Sequence, residues 1–174
     1  MPLNKYAPQV LTHRRTQSSI LAGTKQLIAT VGLTKMTMIE IADTSEVSRA
    51  TLYNHFRDKE SVIVALCQSE CVRLISNAKE EPNATDALEM LSIQVSTDRA
   101  LAHMRTHDPA HLALGLSATH CSMWADLTNA LAEITGSHIL SELSLRWLMG
   151  QVFHPLTPQE SRLQAELLIS RANL

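Results

Sequence analysis

The stretch SRATLYNHFRDK, Ser48 to Lys59, concentrates side chains that can do chemistry. Arg49, Thr51, Tyr53, Asn54 and His55 offer a guanidinium, two hydroxyls, an amide and an imidazole, and no acid stands among them. Leu52 and Phe56 are spaced i, i+4, so on a helix they point inward together. Arg49, Ala50, Thr51, Tyr53, Asn54 and His55 are then left outside. Such a face suits hydrogen-bonded recognition of base edges in a DNA major groove. Lys59 follows at the start of the next helix, placed to meet a phosphate.

Other groupings are weaker. His103 and His107 are spaced i, i+4 and could approach one metal ion, but Asp108-Pro109 ends the helix before His111. Solvated histidines, and no metal, are expected. Cys67 and Cys71, also i, i+4, read as small buried residues rather than a redox pair. His120-Cys121 lacks a third group to orient it. Paired carboxylates, a phosphate loop and a nucleophile motif are all missing from the sequence, so an enzyme is not expected and no cofactor is implied.

The face on 49–55 needs a support. Thr37 and Glu40 form a capping box ahead of a short helix, whose apolar face is expected from Ile39, Ile41 and Ala42. Thr44-Ser45-Glu46 breaks that helix, Val47 plugs the turn, and Ser48 caps the next. Upstream, Ile20, Leu21, Leu27, Ile28 and Val31 repeat at helical spacing over residues 16–31. Gly32 suits the helix stop, and Leu33 is expected to pack back. Pro2 and Pro8 predict that residues 1–13 are not helical, and Arg14 and Arg15 could extend a basic arm.

The segment Thr37 to Val62, above all SRATLYNHFRDKESV, resembles the helix-turn-helix of TetR-family transcriptional regulators. The likeness covers roughly residues 14 to 75. It implies that Thr37, Tyr53 and Lys59 meet phosphates, which fixes register without reading sequence. It implies that Arg49, Ala50, Thr51 and Asn54 face bases, Arg49 toward a guanine and Asn54 toward an adenine edge. Ser48 joins this set beside the cap, and His55 is a backbone contact or a packing residue. One departure stands out. The family usually has Gly, which allows positive φ, where this chain has Glu46, so either the turn differs here or it carries a strain of roughly 1–2 kcal/mol.

The resemblance also sets expectations for the rest of the chain. A head and N-terminal arm would occupy residues 1–60, and an effector-binding and dimerisation domain residues 61–174. A helix from Lys59 to about Asn77 would link the two, with Ile63, Leu66, Cys67, Leu74 and Ile75 turned inward. Further helices are read over Asp86–Thr106, from Leu112 to Ile134 with a possible break near Gly115, from Ser137 to Phe153, and from Pro158 to Ala172. Cys67, Met90, Met104, Cys121, Met123 and Trp124 are candidate lining residues for a small-molecule pocket. Ile139, Leu143, Trp147, Leu163 and Leu167 are candidates for a homodimer interface.

Composition agrees with an all-α chain made of a three-helix helix-turn-helix head and a C-terminal helical bundle. The 174 residues are 45% hydrophobic but only 3% aromatic, so the core must be mostly aliphatic. Ten Lys/Arg against seven Asp/Glu fall in residues 1–80, and five against ten in residues 81–174. A basic N-terminal part suits contact with a polyanion at one end. No apolar run reaches a membrane span, and three cysteines suggest reduced thiols in the cytoplasm. The expected function is a dimeric, DNA-binding regulator, a repressor on a palindromic operator of double-stranded DNA released by a small molecule. The alternative is an architectural or protein-recruiting factor with the same head and no small-molecule ligand.

Overall fold

A computed structural model describes residues 7–117 and 122–170. Among these residues the secondary structure is helical throughout. The chain divides into two compact units, Met1–Cys67 and Gln68–Leu174.

The first unit holds α1 (Ala7–Thr30), α2 (Met38–Thr44), α3 (Arg49–His55) and the beginning of α4 (Lys59–Lys79). The first helix starts earlier than the prolines suggest. Pro8 lies in its first turn, where a missing N–H costs no intrahelical hydrogen bond. Gly32 ends it at φ +93°. Ile20, Leu21, Leu27 and Ile28 are buried, as are Leu33 and Met36 in the turn that follows. Packing runs from α1 to α2 and from α2 to α3. Ile41 and Ala42 form the inner face of α2, whereas Ile39 is exposed. In a helix of seven residues Ile39 lies roughly 200° around the axis from Ile41, too far to share its face.

The turn between α2 and α3 has a defined hydrogen-bond pattern. Val47 N–H donates to the Ala42 carbonyl at 3.0 Å and Glu46 N–H to the Asp43 carbonyl at 3.2 Å. These are the two bonds of a Schellman motif, which places its C′ residue in the left-handed region. That residue is Glu46, at φ +55°. The turn is therefore built as a glycine turn without a glycine. Nearby, α1 approaches closely at Gly23. A Cβ there would lie 2.3 Å from Ser45 Oγ and 3.1 Å from Ser45 N.

The second unit contains the rest of α4, then α5 (Ala84–Thr97), α6 (Arg99–His107), α7 (Pro109–Ser117), α8 (Ser122–Thr135), α9 (His138–Phe153) and α10 (Pro158–Ser170). The helix expected over Asp86–Thr106 is two helices, because the Asp98 side chain accepts from Leu101 N–H at 3.0 Å and starts α6 anew. Caps also set the other ends. Asn83 starts α5, Gly136 at φ +71° and Ser137 separate α8 from α9, and Thr157 with Glu160 forms a capping box for α10.

The core of this unit is Ala78, Ala87, Leu88, Leu91, Leu131, Leu148 and Ala165. Within it lies a buried polar cluster. The amide oxygen of Gln151 accepts hydrogen bonds from the Ser92 and Ser96 hydroxyls at 2.7 and 3.1 Å, and Ser92 and Ser161 hydroxyls are 2.7 Å apart. Ser96 Oγ also accepts from Leu156 N–H at 3.0 Å. α5, α9 and the start of α10 are thereby joined by directional bonds through an otherwise aliphatic interior.

Candidate nucleic-acid interface

The site is built on α3. Ser48 accepts from Thr51 N–H at 3.0 Å and its hydroxyl lies 2.7 Å from that of Thr51, so both residues serve the N-cap. Leu52 is fully buried and Phe56 nearly so. These two anchors fix which side of the helix faces out. Arg49, Ala50, Tyr53 and Asn54 are exposed at spacings that make one stripe. Tyr53 keeps 55% of its surface accessible. A tyrosine this open on a short helix, beside an exposed guanidinium and an exposed amide, is unusual for a purely structural face.

His55 is half-buried at the end of α3, its ring centroid 4.1 Å from that of His13 on α1. Burial, and then the neighbouring His13, hold the His55 imidazole below its ordinary pKa. This is packing chemistry, and the histidine pair ties α1 to α3.

Two residues expected to meet phosphates are already engaged. Thr37 Oγ1 donates to Glu40 Oε2 at 2.8 Å and accepts from Glu40 N–H at 3.3 Å. A hydroxyl has one proton to give, and Thr37 gives it to its own capping box. Lys59 Nζ lies 3.2, 3.4 and 3.1 Å from the carbonyl oxygens of Leu33, Thr34 and Met36. An ammonium group has three protons, and three carbonyls take them. Between those carbonyls stands Lys35, exposed and with its ammonium unpaired among the described residues. Sequence reasoning misses it, although a signal is present: one lysine between two apolar residues, Leu33 and Met36, in a turn too short to bury it.

At the base of the unit, Asp58 caps α4. Its carboxylate accepts from Ser61 N–H at 2.8 Å. That bond, helped by Arg57, holds the Asp58 carboxyl below its usual range.

The pocket candidates differ in exposure. Cys67 is exposed and Cys71 half-buried, not the buried pair expected, while Met90 packs against the second unit's core and Met104 and Trp124 are half-buried. Cys121 lies outside the described residues. Met123 alone of the six lines the α4–α8 groove of about 400 Å³. Its other walls are Cys71, Val72, Ile75, Leu127 and Ala130, together with the polar Gln68, Ser76, Lys79 and Asp126, all four exposed. His103 and His107 stack with centroids 4.0 Å apart.

The interface candidates fall on a common surface. Ile139, Leu143, Leu163 and Leu167 are exposed, Ile139 at 76% and Leu167 at 60%. Trp147 is half-buried between them, its indole N–H donating to Gln164 Oε1 at 2.6 Å. Ile139, Leu143, Trp147 and Leu167 line an apolar groove of about 560 Å³ along α9 and α10.

A capped helix pair carrying an acid-free outward stripe, followed by a helical bundle, defines a DNA-binding transcriptional regulator of the helix-turn-helix class. Residues 20–66 match the family model described as bacterial regulatory proteins, tetR family. The match lies in the head, which is thus similar to the DNA-binding part of that family. Compared with curated proteins, its sequence matches none. Its fold is similar to the fatty acid degradation regulator FadR from Bacillus halodurans, with TM-score 0.64 and 19% identity over 88% of this chain and 94% of that one. It is also similar to FadR from Bacillus subtilis, a structure in complex with stearoyl-CoA, with TM-score 0.58 and 16% identity over 88% and 97%. A transcriptional regulator from Aquifex aeolicus VF5 gives TM-score 0.55 and 20% identity over 91% and 98%. Among the described residues no helix is long and apolar enough to cross a membrane.

Proposed function

We propose that this regulator is a repressor that binds a palindromic operator as a homodimer and leaves it when a small amphipathic molecule occupies the second unit. The observation that carries the DNA part is the stripe of Arg49, Ala50, Tyr53 and Asn54, held outward by Leu52 and Phe56. One seven-residue helix reads few base pairs. Two heads related by a two-fold axis read two half-sites about one helical turn apart. The apolar face of α9 and α10 supports the pairing, since aliphatic side chains this exposed stand to gain by burial against a copy of themselves.

The α4–α8 groove supports the effector part. It is lined mainly by aliphatic and sulfur-bearing side chains, with an exposed amide, hydroxyl, lysine and aspartate among them. That lining fits an apolar tail with a polar head. Release from DNA requires the ligand to favour the state that binds DNA less well. The stearoyl-CoA in the structurally similar regulator makes acyl-CoA thioesters the first class to screen.

The test begins by selecting bound duplexes from a random pool with the full chain. The expected result is an inverted repeat. Acyl-CoA thioesters of graded length are then titrated against the best duplex. Recovery of no preferred sequence would overturn the operator reading. Release by none of the ligands, with a clear operator in hand, would favour a body that recruits protein instead.

A further inference from the structure

Lys59 occupies an unusual place. It is the first residue of α4, where the helix dipole disfavours a cation. Asp58 and Glu60 stand on either side, yet the Lys59 ammonium turns to neither. It reaches back to the turn between α1 and α2 and gives its three protons to the carbonyls of Leu33, Thr34 and Met36. Those carbonyls belong to the turn and not to α1 or α2, so the ammonium bonds three successive parts of one connection. The consequence is a turn fixed from inside, with Leu33 and Met36 buried and Lys35 between them held outward. The turn is thereby joined to Lys59, four residues beyond the end of α3 in the chain.

We infer that Lys59 is a positioning residue rather than a phosphate contact, and that Lys35, presented by the turn it holds, is the cation that meets the DNA backbone. The inference rests on the DNA-binding reading of α3. It also accounts for why a lysine, rather than an arginine, suits position 59. A single nitrogen with three tetrahedral protons converges on three carbonyls, whereas a planar guanidinium spreads its protons in a fork.

The experiment is a salt titration of duplex binding by the full chain, followed by fluorescence anisotropy. It uses the selected operator and a mixed-sequence duplex of equal length. Wild type is compared with Lys35→Gln, Lys59→Met, Lys59→Arg and the double variant Lys35→Gln/Lys59→Met. Removing one phosphate-bound cation lowers the slope of log affinity against log salt by about 0.9 per head. Between 50 and 200 mM salt the affinity of such a variant falls about threefold less per head than that of wild type. Lys35→Gln is expected to show this reduction with an unchanged Tm. The double variant is expected to have the same slope as Lys35→Gln. Lys59→Arg keeps the charge but cannot hold the turn, and is expected to behave like Lys59→Met.

If both lysines met phosphates, the double variant would have a slope lower by about 1.8 per head, and that additivity would overturn the positioning role. Lys59→Arg binding like wild type would do the same, and remains readable if Lys59→Met does not fold. A wild-type slope in Lys35→Gln would overturn the phosphate role of Lys35. If wild type shows no salt-sensitive binding to either duplex, the DNA reading itself fails, a result distinct from all of these.

Discussion

Replacing Glu46 with glycine should stabilise the head. Glu46 sits at φ +55° because the Schellman bonds from Val47 N–H to the Ala42 carbonyl and from its own N–H to the Asp43 carbonyl demand it. An L-residue in that region carries a cost of roughly 1–2 kcal/mol, from Cβ against the carbonyl oxygen. Glycine removes it but gives back about 0.4–1 kcal/mol through the greater freedom of the unfolded chain. The net gain is about 1 kcal/mol, which for a chain of this length raises Tm by about 2–4 °C. Glu46→Ala is the matched control. Alanine removes the same carboxylate but keeps Cβ, so the strain stays and Tm should not rise. Both variants delete a negative charge close to α3, so both should bind duplex DNA somewhat more tightly at low salt. Differential scanning calorimetry on the three proteins separates the two effects. Equal Tm gains for Glu46→Gly and Glu46→Ala would refute the backbone argument and assign the penalty to charge.

Gly23→Ala should destabilise the head by about 1–3 kcal/mol, since the new Cβ meets Ser45 Oγ at 2.3 Å, and adding Ser45→Ala should restore only part because Ser45 N remains at 3.1 Å. Chemical denaturation of the single and double variants checks both statements. Arg49→Ala and Asn54→Ala should each cost about 1–3 kcal/mol on the selected operator and far less on mixed-sequence DNA, measured by competition binding. Leu143→Glu places a carboxylate on the exposed apolar face and should convert a dimer to a monomer by native mass spectrometry, with the head still folded by circular dichroism. Acidification should weaken the head: the folded His55 pKa is depressed, so as pH falls below ~6.5 the unfolded chain takes up the proton first. The stability is complete above that value and is lost as pH falls through the folded pKa. His55→Gln should flatten this part of the pH profile of Tm.

Much of the head is legible in the sequence because its signals are local. Thr37 with Glu40, Ser48 before α3, Gly32 after α1, and Leu52 with Phe56 are all decided within a few residues of one another. At Glu46 the resemblance leaves open a different turn or a strained one, and the φ of +55° decides for the strained glycine-type turn. The role of Lys59 is not legible, because its partners lie 23 to 26 residues away in the chain, and no spacing rule connects them. Thr37 looks from sequence like both a cap and a phosphate contact, although one hydroxyl proton serves only one of these. In the second unit the apolar stripe on α9 and α10 follows from i, i+4 spacing. The groove does not, because its walls come from α4 and α8, which are far apart in the chain and which no spacing rule pairs. Methionines and a tryptophan picked out by residue type alone scatter over several helices.

The cluster of Ser92, Ser96, Gln151 and Ser161 has a consequence for assembly. Aliphatic side chains slide past one another at small cost, so a bundle of leucine and alanine alone has several rotational settings of nearly equal energy. Hydroxyl and amide bonds of fixed length admit one. By locking the roll angle of α9 against α5 and α10, these few polar atoms dictate where Ile139 and Leu143 point, and so aim the surface by which one copy would meet another.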